Sequence, residues 1–411
     1  MTRPRVLVFS TQLPLPIDRG DRNRLFHTLR LLAAVADVRL VAVERSWEPP
    51  VTDLAPLGSI EVVRVPLSAA AVVGAGAWAA LTGRPYLVTR YALPRVRRAL
   101  RDAVRAFAPD VLWGYQAPSF PFLADAPRAR RIVDLVDSPS RYAALVTGSR
   151  DVPIGARVAM GLQWRLVEWE RRALALADAA IVNSGADAVH VRALAPPSTD
   201  IVRLDNCVPR ELMRHPWQPD PSRPPTLLFV GNLAYVPNRA AVRLLLTEIL
   251  PRVRRRVPDA RVVVCGARGE ALAQAFAGVE GVTFRGFVPD LASMYRDASV
   301  MLVPVPLAGG TQYKLLESMA VGLPAVVSTV SAAITGVTDG GEVLVGEHAD
   351  AYADAACRLL LDPALAGRVS GAARRFVDAR HTWEAQQPLI DRVIRGRSGA
   401  SGGTASGSGA Q

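Results

Sequence analysis

The chain has 411 residues, half of them hydrophobic and 6% aromatic, with a formal charge of +12 and a pI near 10.5. That length can bury two cores of ordinary size, and Cys207, Cys265 and Cys357 lie far apart without metal-ligand spacing, which excludes a disulfide framework and fits a reducing compartment. The arginines are spread rather than interleaved with aromatic residues, so the basic pI supplies no stacking platform and no nucleic-acid partner is expected.

Met1-Thr2-Arg3-Pro4-Arg5 runs straight into a strand pattern at 5–10, with no apolar signal region or cleavage site, so a cytoplasmic protein is expected. Short apolar strands at 38–43, 60–65, 111–114, 131–136, 179–183 and 200–204 alternate with helical patterns. That rhythm predicts βαβ units and a parallel sheet. After the first strand, the loop from Pro14 to Arg24 contains Gly20, which allows close approach of the backbone to an anion, with Arg22 or Arg24 to meet its charge. The plainer alternative is an exposed arginine-rich turn. His27, in the helix that follows, reads as a packing residue rather than a base.

The apolar run Leu67 to Leu81 falls short of the roughly 20 residues that span a bilayer. Within it, Gly74-Ala75-Gly76-Ala77-Trp78-Ala79 matches a dinucleotide-binding pattern, but it lies in an alanine-rich helical run and the next acidic residue, Asp102, comes too late to bind a ribose. Residues 1–150 carry 21 basic and 12 acidic side chains, and Arg95, Arg97, Arg98, Arg101 and Arg105 fall along one helix. Beside an apolar run, such a surface either attracts anionic lipid headgroups at the inner face of a membrane or is simply solvated. Asp137 follows the strand at 131–136, where a carboxylate accepts a hydroxyl proton or caps a helix.

A proline-rich stretch, 209–225, precedes a second set of strands at 226–230, 261–265, 282–285, 299–304, 325–328 and 343–345. The expected organisation is a first domain over 1–205, a linker over 206–225 and a second domain over 226–383. A helix at 384–395 is expected to pack back on the first domain, and the Gly/Ser/Ala tail 398–411 is too poor in apolar residues to pack. Ligands of open parallel sheets bind beyond the carboxyl ends of the strands, so the site belongs in the cleft between the domains.

Forty-eight of the 49 basic side chains are arginine, and the one lysine, Lys314, lies in Gly309-Gly310-Thr311-Gln312-Tyr313-Lys314-Leu315-Leu316-Glu317. A glycine loop entering a helix offers free backbone N–H groups and the positive end of the helix dipole to an anion such as a phosphate. Lys314 in the first turn opposes that dipole unless an anion compensates, and Glu317 shares its face at i+3; alternatively the two form an ordinary surface ion pair.

The stretch through Gly322-Leu323-Pro324-Ala325-Val326-Val327-Ser328 resembles the donor-binding motif of the group 1, or family 4, glycosyltransferases. Gly231 and Asn232 after the strand at 226–230, Val263-Val264-Cys265-Gly266, Arg285-Gly286-Phe287-Val288-Pro289-Asp290, and Asn206 in the linker agree with that family in its order. The Gly-x-x-Gln-x-Lys-x-Leu-Glu form is similar to that of a subset associated with exopolysaccharide sugar transfer. The resemblance implies an α/β GT-B fold, two facing Rossmann-like doubly wound parallel-sheet domains with an interdomain cleft, and retaining transfer from a nucleotide-sugar donor to a lipid-linked, glycan or small-molecule acceptor.

It assigns Glu317 to the ribose, Lys314 and the backbone of Gly309, Gly310 and Thr311, leading into Gln312, to the diphosphate and sugar, and the Val288 main chain to the base. Gly20, Arg22, Gly231, Asn232 and Gly266 belong to the same donor cradle, and Asp137 stands where many relatives place a histidine near the reacting sugar. Two departures from the family pattern bear on activity: Gly309 replaces a common glutamate, and Asn232 replaces a cation of the first glycine loop. They leave a donor-binding but inactive relative, or a nucleotide-sugar epimerase of the same architecture, as the alternatives. With no Asp-x-Asp in the chain, neither a metal nor any other cofactor is expected.

Overall fold

The computed structural model describes residues 3–148, 154–305 and 310–396. Gly309 and the tail 398–411 therefore lie outside the described residues. Thirteen strands form two sheets: β1 Arg5–Ser10, β2 Asp37–Arg45, β3 Glu61–Leu67, β4 Val111–Tyr115, β5 Arg130–Val136, β6 Ala179–Val182 and β7 Asp200–Arg203 in the first, then β8 Thr226–Val230, β9 Arg261–Cys265, β10 Val282–Gly286, β11 Val300–Val303, β12 Ala325–Ser328 and β13 Leu344–Gly346 in the second. Each sheet is parallel throughout, in the orders β3-β2-β1-β4-β5-β6-β7 and β10-β9-β8-β11-β12-β13. The expected doubly wound α/β architecture is present in both halves.

The sequence dictates these strands simply. Val6-Leu7-Val8-Phe9 and Val300-Met301-Leu302-Val303 are buried without interruption, as strands covered on both faces must be. Reading outward from β1 and from β8, strand order reverses once in each sheet, between β1 and β4 and between β8 and β11. Those reversals open a crevice at the carboxyl ends of the strands, where no connecting helix can cross.

Apolar clusters cover the first sheet on both faces, and the second domain has a larger core of its own. Ile390, Val393 and Ile394 of the helix Gln387–Arg395 join the first domain's core, and Gln387 Nε2 donates to the Leu31 carbonyl. The chain crosses between domains twice, side by side: Val208 pairs with Thr382, and the Val208 amide donates to the His381 carbonyl at 2.8 Å. His27 stacks on Trp383 at 5.0 Å, and burial pushes it down to about 4, so it packs as a neutral ring.

Candidate functional site

In the second domain the site is built from glycine turns. Gly231 ends β8 and Gly266 ends β9, with Gly266 at φ +151° and a position for Cβ that would overlap the Gly231 carbonyl oxygen. Its amide donates to the Gly286 carbonyl at 2.7 Å, so the ends of β8, β9 and β10 lock together through bare backbone. Only a residue without a side chain allows that approach.

The helix Tyr313–Val321 points into this corner. Gln312 precedes it in extended conformation, and it stops at Gly322, in the left-handed region at φ +92°, whose amide closes on the Ser318 and Met319 carbonyls. Lys314 in its first turn donates to Asn238 Oδ1 at 2.6 Å and sits 4.4 Å from the centre of the Phe229 ring. A methyl group on Gly231 would come within 3.0 Å of its Nζ. Burial pushes the ammonium down to about 7, against the pull of Glu317. Glu317 accepts a hydrogen bond from the Tyr295 hydroxyl at 2.7 Å, and burial raises its pKa while Tyr295 and Lys314 lower it. Among the described residues the two do not close into an ion pair, so both keep capacity for other partners.

Between the domains lies a cavity of about 500 Å³. Its walls come from strand ends: Gly20 beyond β1, Gln116 beyond β4, Val136 and Asp137 at the end of β5, Asn183 beyond β6, and Gly310 to Tyr313 beyond β11. Gln116 and Val136 both have φ of +63°. A β-branched residue held there is strained, and such strain clusters at ligand clamps. Each is pinned: the Gln116 amide donates to the Asp134 carbonyl, and the Asn183 amide to that of Val136.

Asp137, Asn183, Thr311, Gln312 and Tyr313 each direct a buried polar atom at this cavity's wall without a partner, and Arg90 Nε is likewise unpartnered. Native interiors leave few such groups, so a cluster of them marks a place for a polar ligand. Burial, then the neighbouring Asp187 carboxylate, push Asp137 up to about 6. The native state therefore holds more protons than the unfolded chain between about pH 4 and 6, and stability falls as pH rises through that window. Asp137→Asn is expected to flatten this dependence and raise stability at pH 8 by about 1–3 kcal/mol, read from thermal unfolding across pH 4 to 8.

The domains meet at the glycine loop. A Cβ on Gly310 would lie 2.5 Å from the Asn183 side-chain carboxamide, and one on Gly20 2.9 Å from the Tyr313 ring. Asn206 donates to the Thr311 carbonyl at 2.8 Å and accepts from Arg24, which also reaches Asp134 at 3.3 Å. Tyr142 and Tyr235 bring their hydroxyls to 3.2 Å across the gap.

Of the residues singled out from sequence, Gly20, Asp137, Gly310, Thr311 and Gln312 line the cavity. Lys314, Glu317, Gly231 and Gly266 form the adjoining second-domain corner, with Asn232 exposed beside them and holding the turn through its side chain to the Ala234 amide. Val288 packs against the second core near the edge strand. Arg22 is turned away: its guanidinium pairs with Asp18 and Glu48. Arg24 is wholly enclosed. Arg90, stacked beside Tyr86 and Tyr91, is the arginine found in the cavity wall, and with Asn183 it had no local sequence signal.

Residues 224–362 match the family described as Glycosyl transferases group 1. Over 168 residues the chain is 28% identical to a GDP-mannose-dependent alpha-(1-6)-phosphatidylinositol monomannoside mannosyltransferase of Mycolicibacterium smegmatis, covering 37% of this chain and 44% of that protein. The corresponding Mycobacterium tuberculosis protein is 28% identical over 187 residues, covering 42% and 48%. The chain thus spans less than half the length of these relatives in the match. Among solved structures, sucrose-phosphate synthase from Thermosynechococcus elongatus superposes with a TM-score of 0.72 at 18% identity, over 96% of this chain and 98% of that one. Anabaena HepE in complex with UDP and glucose gives 0.65 at 12% identity, over 95% and 99%, and WaaG, a glycosyltransferase involved in lipopolysaccharide biosynthesis, 0.64 at 14%, over 95% and 100%. These neighbours share the GT-B fold with this chain.

Proposed function

We propose that this chain is a group 1 glycosyltransferase that moves a sugar from a nucleotide-sugar donor to a lipid-linked or glycan acceptor in making a surface polysaccharide or glycolipid. The observation that carries the reading is a juxtaposition. Gly310 to Tyr313 of the second domain and Asp137 of the first line one cavity with unpartnered polar atoms, and the helix those residues lead into carries the lone ammonium Lys314 and the carboxylate Glu317 in its first turns.

In this reading Lys314 and the amides at the start of the helix Tyr313–Val321 meet the donor diphosphate, and Glu317 accepts from the ribose hydroxyls. The Val288 main chain faces the base. Asp137, Asn183 and Gln312 would hold hydroxyl groups of the transferred sugar or the acceptor. Transfer with retention then needs no protein nucleophile: the acceptor oxygen bonds to the anomeric carbon on the face the phosphate leaves, and its proton passes to the departing phosphate oxygen. The protein contributes contact geometry and stabilisation of charge on the diphosphate. Lys314 and the helix terminus take that charge without a metal.

A panel of nucleotide sugars, headed by GDP-mannose because the matched relatives are named for it, tests the reading by thermal shift. At least one donor should stabilise the wild type. Glu317→Gln should weaken that donor by about 10- to 100-fold, the loss of a charge-assisted pair of hydrogen bonds. Unchanged affinity would remove Glu317 from the site, and no shift with any nucleotide sugar would end the reading.

A further inference from the structure

Half of the large hydrophobic side chains exposed on the described surface lie on two adjacent stretches of the first domain. One is the helix Ala69–Thr82, without a charged residue, which shows Val73, Trp78 and Leu81 to solvent, Leu81 at 87% exposure. The other runs from Ile154 to Val167. Ile154, Val158 and Leu162 recur every fourth residue along the helix Ile154–Gly161 and its extension, followed by Trp164 at 70% exposure. The stretches touch where Gly83 faces the Arg165 guanidinium, 3.5 Å from the place its Cβ would occupy, and where the Leu87 amide donates to Gln163.

Each tryptophan carries an arginine on its ring: Arg84 over Trp78 at 4.3 Å and Arg165 over Trp164 at 4.6 Å. Arg171 continues the face one turn beyond Val167. Exposed aliphatic side chains ringed by tryptophan and arginine suit the interface of an anionic bilayer, where the ring sits at headgroup depth and the guanidinium meets phosphate. By contrast the arginines of the helix Pro94–Phe107 are largely occupied: Arg97 and Arg101 pair with Asp125, and Arg105 with Asp102.

Beneath this face a second cavity, of about 250 Å³, opens between the helix Pro139–Gly148 and the stretch 160–167. Ala143, Ala144, Leu166, Val167 and Trp164 make its wall mostly apolar, and Met160 lines both it and the interdomain cavity. Met160 is thus the side chain that stands between the two, and its flexible thioether packs without demanding a polar partner.

We propose that this face docks on an anionic bilayer and that the small cavity receives the hydrocarbon chain of a membrane-anchored acceptor, delivering its polar head to the interdomain cavity. The inference rests on the transferase reading and narrows its acceptor class to an amphipathic lipid.

The test uses the full chain and vesicles of phosphatidylcholine with phosphatidylglycerol, some bearing a photoactivatable diazirine in the acyl chain. Wild type should sediment with the anionic vesicles, and the double variant Trp78→Ser with Trp164→Ser should bind about tenfold less well. Crosslinks should fall on Ala143, Thr147 or Met160 as well as on the exposed face. Failure to sediment at low salt, binding indifferent to the double variant, or crosslinks absent from the small cavity would each overturn the proposal. Thermal stabilisation by a nucleotide sugar, measured on the same preparations, separates that failure from failure of the transferase reading.

Discussion

Lys314→Ala should lower kcat/KM for sugar transfer by about 10²- to 10³-fold, the effect of removing one preorganised cationic contact to a leaving diphosphate. Its melting temperature should stay near that of the wild type, because burial already disfavours the ammonium that is removed. Lys314→Arg should not rescue turnover: buried Nζ donates to Asn238 from a place where even a Cβ on Gly231 would crowd it, and a larger planar guanidinium cannot keep that contact. The pH dependence gives a second readout. With the free-enzyme ammonium near 7, a bound diphosphate must raise it again, so donor binding takes up a proton above that pH. Affinity should be level below pH 7 and fall toward tenfold per pH unit above it, and Lys314→Met should abolish the slope. Wild-type turnover in Lys314→Ala would take the residue out of the mechanism.

Gly266→Ala should destabilise the protein by about 3–5 kcal/mol, among the largest effects expected of a single methyl group. The added carbon would overlap the Gly231 carbonyl, a backbone atom with no rotamer to retreat into, at a φ that side chains avoid. Relief is blocked on both sides, since the Gly231 amide is bound to the Cys265 carbonyl and the Gly266 amide to that of Gly286. Gly74→Ala is the matched control. It lies inside the helix Ala69–Thr82 with open space around it, so the same methyl group should stabilise by about 0.5–1 kcal/mol. Equal thermal unfolding of the two variants would refute the account of the glycine turns.

The alternation of apolar strands and helical stretches made both sheets legible, because strands buried on two faces leave continuous runs such as Leu227-Leu228-Phe229-Val230. The second-domain corner was legible for a related reason: its candidate residues from Gly310 to Glu317 follow one another in a single contiguous loop and helix. The first-domain wall was not. Gln116, Val136 and Asn183 stand at three strand ends, brought together by strand order, and no spacing announces a left-handed valine. Arg22 shows the converse. Its neighbourhood promised a phosphate contact, but Glu48, 26 residues away, occupies the guanidinium. Likewise, periodicity drew attention to the arginines from 95 to 105, whereas accessible tryptophans gathered on surfaces that only tertiary structure brings side by side.

The paired crossings at Val208 and Thr382 act as two pins of a door. Swinging one half-molecule against the other is restricted to rotation about a line through them, and displacement grows with distance from that line. Asn206 stands next to the pins and holds the Thr311 carbonyl, so that clasp survives a small swing, whereas the Tyr142–Tyr235 contact across the gap must part for the cleft to widen. On the transferase reading, departure of the spent nucleotide is then governed by that pair of phenols while the axle stays fastened.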